Sequence, residues 1–320
     1  MRIVFVLAGL VAVLVFAAAC GDDDAGGDAT PTGGATFATA TDGPTEAPAF
    51  PLTISDDAGV ELTLEEIPDS IVALAPSFVE VLFAVGAGDA IVAVDENTDY
   101  PPETESIPKI SGFSPSVEGI VSFEPDLVLI FFDPGDLQSS LISLGVPVMF
   151  LATPSTVDGV YDQIETIGEV TGHSDEAVDV VSDMKIDIAA IVARLDDIDA
   201  GPSVFHEYDA TLFTAGPGSF PDEVYGLLKT SNIAEATGEA FPQMSAEAII
   251  AAGPEVIVLA DADFGESFET VSERPGWGAI PAVQNERVYE VPGSLLSRAT
   301  PRLVDDIQLL FDLLYPELLE

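Results

Sequence analysis

From residue 51 onward, short and nearly unbroken apolar runs alternate with helix-like stretches. The runs Ser70–Ala75, Ala90–Val94, Asp126–Phe132 and Val146–Leu151 are bounded by Pro, Gly and Asp, and so are Ser203–Tyr208, Glu255–Ala260 and Arg287–Val291. A strand that is apolar on both faces needs cover on both faces, as in a parallel sheet between helix layers. Phe78–Val85 and Ser116–Ser122 read as helices between the strands. The expected class is therefore α/β with parallel, Rossmann-like sheets.

One segment repeats. Residues 116–130 read SVEGIVSFEPDLVLI, and residues 245–259 read SAEAIIAAGPEVIVL. Ser116/Ser245, Glu118/Glu247, Ile120/Ile249 and Pro125/Pro254 each lie 129 positions apart. Both copies predict a Ser N-cap, a short helix, a Pro stop, an acid and a buried strand. Two lobes built on similar units follow from this, at 51–172 and 200–320. Between them, 173–199 predicts one long helix. Its apolar residues Val178, Val181, Met184, Ile188, Ile191, Val192 and Leu195 fall at a helical period. Ser174 is the expected N-cap, with Asp175 and Glu176 at the positive end of the helix dipole. About 24 residues at 1.5 Å rise give a rod of roughly 36 Å. Such a connection permits small rocking and disfavours a wide hinge closure.

The start of the chain has a different character. Arg2, the apolar run Ile3–Ala19 and the small residues Ala17-Ala18-Ala19 before Cys20 predict an export signal over 1–20. Cys20 after three alanines resembles the lipobox of bacterial lipoproteins, in which the cysteine carries lipid. The Gly-, Ala-, Thr-, Pro- and Asp-rich stretch 21–50 predicts a disordered tether reaching roughly 30 Å. An extracytoplasmic domain, attached to the membrane through lipid alone, is the expected arrangement.

Charge narrows the function classes. Nine Lys+Arg stand against 56 Asp+Glu, a net charge of −47 over 320 residues. Such a surface repels phosphate backbones, which excludes nucleic acid as a partner. One Cys and two His rule out an internal disulfide, a three-His metal site and a cysteine nucleophile. No GxSxG, Walker, HExxH or HxE element is present. An anchored α/β enzyme is thereby disfavoured, and a resident cofactor is not expected.

In open α/β sheets, ligands bind beyond the carboxyl ends of the strands. The residues that follow the expected strands are Pro76 and Ser77, Tyr100, Phe113, Phe131 with Phe132, Tyr208 and Phe241. Aromatic rings on such loops suit a flat, largely apolar ligand contacted from both lobes. Arg298 and Arg302 either hold an anionic ligand group or pair with neighbouring acids. His206 shares a strand face with Tyr208. It is either an axial metal ligand for a tetrapyrrole or a buried structural histidine.

Segments 74–103, 114–130, 241–259 and 297–303 together resemble the vitamin-B12- and iron-siderophore-binding proteins of bacterial ABC importers. The resemblance covers about 250 residues. It implies two α/β lobes bridged by one long helix, and a monomeric protein that captures ligand outside the membrane and delivers it to a permease without catalysis. It also implies that Glu118 and Glu247 dock onto basic pockets of a permease dimer. Within the family the likeness is nearest to the cobalamin binders, whose corrin-packing aromatics match Tyr100, Phe113, Tyr208 and Phe241. A ferric siderophore or haem is the alternative ligand.

Overall fold

The structure is a computed structural model that describes residues 50–319. The expected signal, Cys20 and the tether up to residue 49 lie outside the described residues. An antiparallel pair, β1 (Leu52–Ser55) and β2 (Glu61–Leu64), leads into β3 (Ile71–Ala73) and α1 (Pro76–Ala84). Then follow β4 (Ile91–Asp95), β5 (Lys109–Ile110), α2 (Val117–Val121), β6 (Leu127–Ile130), α3 (Leu137–Ser143), β7 (Val148–Phe150) and α4 (Val157–Val170). The long helix α5 (Ser174–Ala193) crosses to β8 (Ser203–Glu207), α6 (Phe220–Leu227), β9 (Ser231–Asn232) and α7 (Ala246–Ala252). The chain ends with β10 (Val256–Leu259), α8 (Phe268–Ser272), α9 (Pro281–Gln284), β11 (Val288–Glu290) and α10 (Leu303–Leu314).

Two parallel sheets result, in the orders β5-β4-β3-β6-β7 and β11-β10-β8-β9. In each, the first strand entered is flanked on opposite sides by strands wound in opposite directions. The C-terminal ends of β3 and β8 are therefore topological switch points, where open α/β sheets leave a crevice.

The continuous apolar character of the strands has a direct cause. Leu127 and Leu129 of β6 face a central core, whereas Val128 and Ile130 face an outer one against α2 and α3. In β10, Val256 and Val258 face the same central core, and Ile257 and Leu259 face an outer core around Trp277. The repeat thus holds residue by residue. Ser116 Oγ accepts from the Gly119 amide at 2.9 Å, and Ser245 Oγ accepts from the Ala248 amide at 3.2 Å. The Asp126 carboxylate accepts from the amide and hydroxyl of Ser70 at 3.0 and 2.8 Å. The Glu255 carboxylate does the same with Ser203, at 3.0 and 3.4 Å. In return the Asp126 and Glu255 amides donate to those hydroxyls, at 3.0 and 3.1 Å.

The bridging helix differs in detail from expectation. It has 20 residues, a length of about 30 Å. Residues 194–197 continue as turns. His173, not Ser174, occupies the cap position, without a side-chain cap bond. The buried stripe is Ala177, Val181, Met184, Ile188 and Ile191, extended by Leu195, while Val178 is exposed. Nor does α5 act alone. α4 packs along it from the first lobe and α10 from the second, and the central core runs through all three. α4, α10 and the β1–β2 pair are absent from the sequence reading.

The repeat carries one asymmetry. Gly253 has φ +58° just before Pro254, and its counterpart before Pro125 is Glu124, at φ +50°. A side chain in this left-handed region costs roughly 1 kcal/mol. Glu124→Gly is expected to raise unfolding free energy by about 0.5–1 kcal/mol in urea titration. Gly253→Ala is expected to lower it by a similar amount, and equal stabilities would contradict the strain.

Candidate ligand-binding site

Two adjoining cavities lie at the switch points. One, of about 300 Å³, is lined by Ala75, Pro76, Ser77 and Phe78 after β3, and by Asp95, Asn97, Phe113, Phe131, Leu151 and Gln163. The other, of about 470 Å³, is lined by Tyr208 after β8, by Gly218–Pro221 at the start of α6, and by Phe241. Thr153, Pro154, Ser297 and Ala299 line both, so the two are halves of one cleft between the lobes. Pro76 sits in the first turn of α1, where its missing N–H has no helical partner to lose.

The walls are aromatic. Phe113 stands edge-on to Phe131, with ring centroids 5.6 Å apart and planes at 89°. Opposite, Tyr208 leans on Phe241 at 6.0 Å. Phe113 and Phe241 keep 59% and 58% of their surface exposed, enough for each to gain from covering by a flat apolar guest. The loop carrying Phe113 is held tightly from behind. Asp95 Oδ2 accepts from the Gly112 amide at 2.7 Å, and a Cβ on Gly112 would lie 2.5 Å from both that oxygen and the Leu74 carbonyl.

Six of the expected ligand residues come together here: Pro76, Ser77, Phe113 and Arg298 in one half, Tyr208 and Phe241 in the other. Three expected contacts do not line either half. Tyr100 lies flat against Arg302, whose guanidinium carbon is 4.4 Å from the ring centre. Phe132 is turned away by strand-like alternation, so Phe131 is the ring that faces the cavity. His206 is 2% exposed behind Tyr208, with ring centroids 4.7 Å apart. Its Nδ1 bonds the Tyr225 hydroxyl at 2.8 Å, and burial pushes its pKa down to about 4, so it is neutral. Of the two readings of His206, its burial behind Tyr208 and its bond to Tyr225 fit the buried structural histidine.

Arg298 lines the cleft with its charge already matched. It donates to Asp99 at 2.6 Å and to Glu80 at 3.2 Å. Arg302 grips Glu80 through two bonds, at 2.8 and 2.6 Å. Glu80 is buried in α1 of the first lobe, and both arginines belong to the second. The four groups form a neutral clasp across the cleft, and the Arg298 hydrogen bond holds the Asp99 carboxyl below its usual range. The alternative in which these arginines pair with acids is the one observed. Glu118 and Glu247 stand exposed in the first turns of α2 and α7, outside the ion pairs among the described residues.

The sequence reading missed Asp95, Glu80, Gln163 and the shared segment around 153. Gln163 carried a signal. It falls on the buried face of α4 with Val160, Ile164 and Ile167, where a polar side chain needs a reason to be.

A family model described as "Periplasmic binding protein" matches residues 71–295. The ABC transporter substrate-binding lipoprotein YvrC of Bacillus subtilis is 34% identical over 277 residues, covering 84% of this chain and 87% of that protein. A cobalamin-binding protein of Halobacterium salinarum is 32% identical over 220 residues, covering 66% of this chain and 58% of that protein. Among solved structures, the periplasmic heme-binding protein RhuT of Roseiflexus in its apo form superposes with a TM-score of 0.70 at 25% identity, over 78% of this chain and 99% of that one.

Beside the cleft, the second lobe buries a further charge cluster. Glu207 at the end of β8 is fully buried and takes two bonds from Arg274, at 2.7 and 2.5 Å, and Arg274 also reaches Glu266 at 2.6 Å. Asp261, after β10, is buried with both carboxyl oxygens unpartnered. Burial, then the nearby Glu207, pushes its pKa up to about 6. A carboxyl whose folded pKa is raised favours folding at low pH, and that contribution is lost as pH rises through about 6. Asp261→Asn removes the charged form. Its stability relative to the parent is therefore expected to rise by about 1–2 kcal/mol between roughly pH 5 and pH 7.5. Paired calorimetric melts at constant ionic strength measure that slope, and a difference independent of pH would refute it.

Proposed function

The chain belongs to the periplasmic binding protein family and is the substrate-binding component of an ABC importer, not an enzyme. From that premise we propose that it captures a corrinoid, cobalamin-like ligand between its two lobes. The observation that carries this reading is the character of the cleft. Aromatic rings face each other from both switch points, and the one guanidinium in the lining is neutralised by Glu80 and Asp99. Such a cleft suits a broad, amide-fringed ring better than a ligand whose rim carries free carboxylates. The similarity to a cobalamin-binding protein supports the same choice. Haem and ferric hydroxamates are the competing ligands.

Titration calorimetry of the purified chain against cyanocobalamin, haem and a ferric hydroxamate decides among them. Cobalamin is expected to bind one to one and more tightly than the other two. Phe241→Ala and Tyr208→Ala are each expected to weaken it about tenfold, near 1.4 kcal/mol, the worth of one covered ring. Preference for haem would overturn the ligand assignment.

Delivery rests on the repeat. Glu118 and Glu247 present matching charges on matching helices, which suits a permease dimer with two equivalent basic pockets. Reversing both, Glu118→Arg with Glu247→Arg, is expected to abolish uptake in cells while leaving the ligand Kd unchanged. Uptake at the parental rate would reject the docking role. Lipid on Cys20 completes the arrangement by holding the protein outside the cell at the membrane. Cys20→Ser is expected to move it from the membrane fraction to the soluble fraction, and retention at the membrane would exclude the lipid anchor.

A further inference from the structure

Behind the aromatic walls, the mostly apolar first-lobe end of the cleft holds two buried polar side chains, and one polar atom of these is unmatched. Gln163 projects from the buried face of α4 and is 6% exposed. Its Nε2 donates to the Ala152 carbonyl at 3.1 Å. That bond fixes the sense of the amide, because the reverse orientation would set two oxygens against each other. Oε1 is then left as a buried acceptor with no partner.

The position of Gln163 gives this vacancy a meaning. The residue lines the cleft cavity of about 300 Å³ and also a rear cavity of about 360 Å³, so its amide forms part of the partition between them. The other buried polar side chain in the same lining is Asp95, 2% exposed, whose carboxylate accepts from the amides of Asn97 and Gly112. The guanidinium of Arg298 is occupied by Glu80 and Asp99. The buried polar side chains at this end of the cleft therefore present acceptors that a donor on the ligand would match. A buried acceptor gains most from a donor that arrives with the ligand, directly or through one water.

We propose that Gln163 is a specificity-determining residue: its Oε1 accepts a hydrogen bond from an amide N–H on the ligand's rim. The cleft thereby favours an amide-fringed macrocycle over one bearing a carboxylate at that place. This rests on the corrinoid reading above and deepens it. A carboxylate brought to the same spot has no proton to donate and meets the negative Asp95.

The test uses cyanocobalamin and the monocarboxylic acids made by hydrolysing its peripheral amides one at a time. The parent chain is expected to bind at least one of these acids tenfold or more weakly than cobalamin itself. In Gln163→Leu, cobalamin affinity is expected to fall fivefold or more, and the penalty against that acid to shrink towards one. The shrinking ratio is a readout that a merely structural role would leave in place. Gln163→Met carries the same expectation if circular dichroism shows the Leu variant to be misfolded. Cobalamin binding with an unchanged affinity and ratio in the folded variant would overturn the role of Gln163 and leave the corrinoid reading standing. Absence of any corrinoid binding by the parent would overturn both.

Discussion

The arrangement of this protein depends on one apolar seam. The inner faces of both parallel sheets, together with α4, α5 and α10, share a single hydrophobic core. Two lobes joined by a flexible strap would have separate cores and a solvated gap at the joint. Here the joint belongs to the same buried core as the lobes, so separating them would expose buried side chains of Met184, Ile188 and Ile191 to water. The seam fixes the distance between the two switch points. It is therefore the reason that Pro76 and Phe113 on one side face Tyr208 and Phe241 on the other at a defined gap.

Charge reinforces this geometry. The described residues carry eight Lys and Arg, and each is engaged in holding the fold. Lys229 donates to the carbonyls of Leu195 and Ile198 beyond the end of α5, and Arg287 to that of Leu314 at the end of α10. Arg194 binds the Leu318 carbonyl and stacks on Phe311, Lys185 lies over Tyr161, and Lys109 bonds the Thr98 carbonyl. Arg274, Arg298 and Arg302 neutralise buried acids. A chain with this excess of acid places its few cations where the fold needs them. The cleft then recognises its guest through rings and acceptors.

Much of this was legible in the sequence, for identifiable reasons. Each apolar run that the sequence reading names coincides with a strand, because strands covered on both faces leave an unbroken pattern. The repeat was legible because Ser, Pro and acid recur at one offset, and the Ser and the acid make the same hydrogen bonds in both lobes. The helix period misplaced Val178 onto the buried face, since its neighbour Ala177 is the smaller residue that packs there. Aromatic strand ends pointed to the cleft, but composition cannot tell Phe131 from Phe132, which differ by one step of alternation. Glu80 and the arginines it binds are more than 200 positions apart, and no local pattern announces such a pair. Gln163 was detectable only as a polar residue on an apolar helix face, which gives no hint of which cavity lies beyond it.

The salt clasp between Glu80 and the two arginines has a mechanical consequence. It ties α1 of the first lobe to the start of α10 in the second, so charge joins the lobes there as well as the shared core. Parting the lobes at this edge would strip a buried carboxylate, Glu80, of the guanidiniums that match its charge. The energy needed to widen the gap is therefore set in part by one carboxylate and the two guanidiniums that hold it.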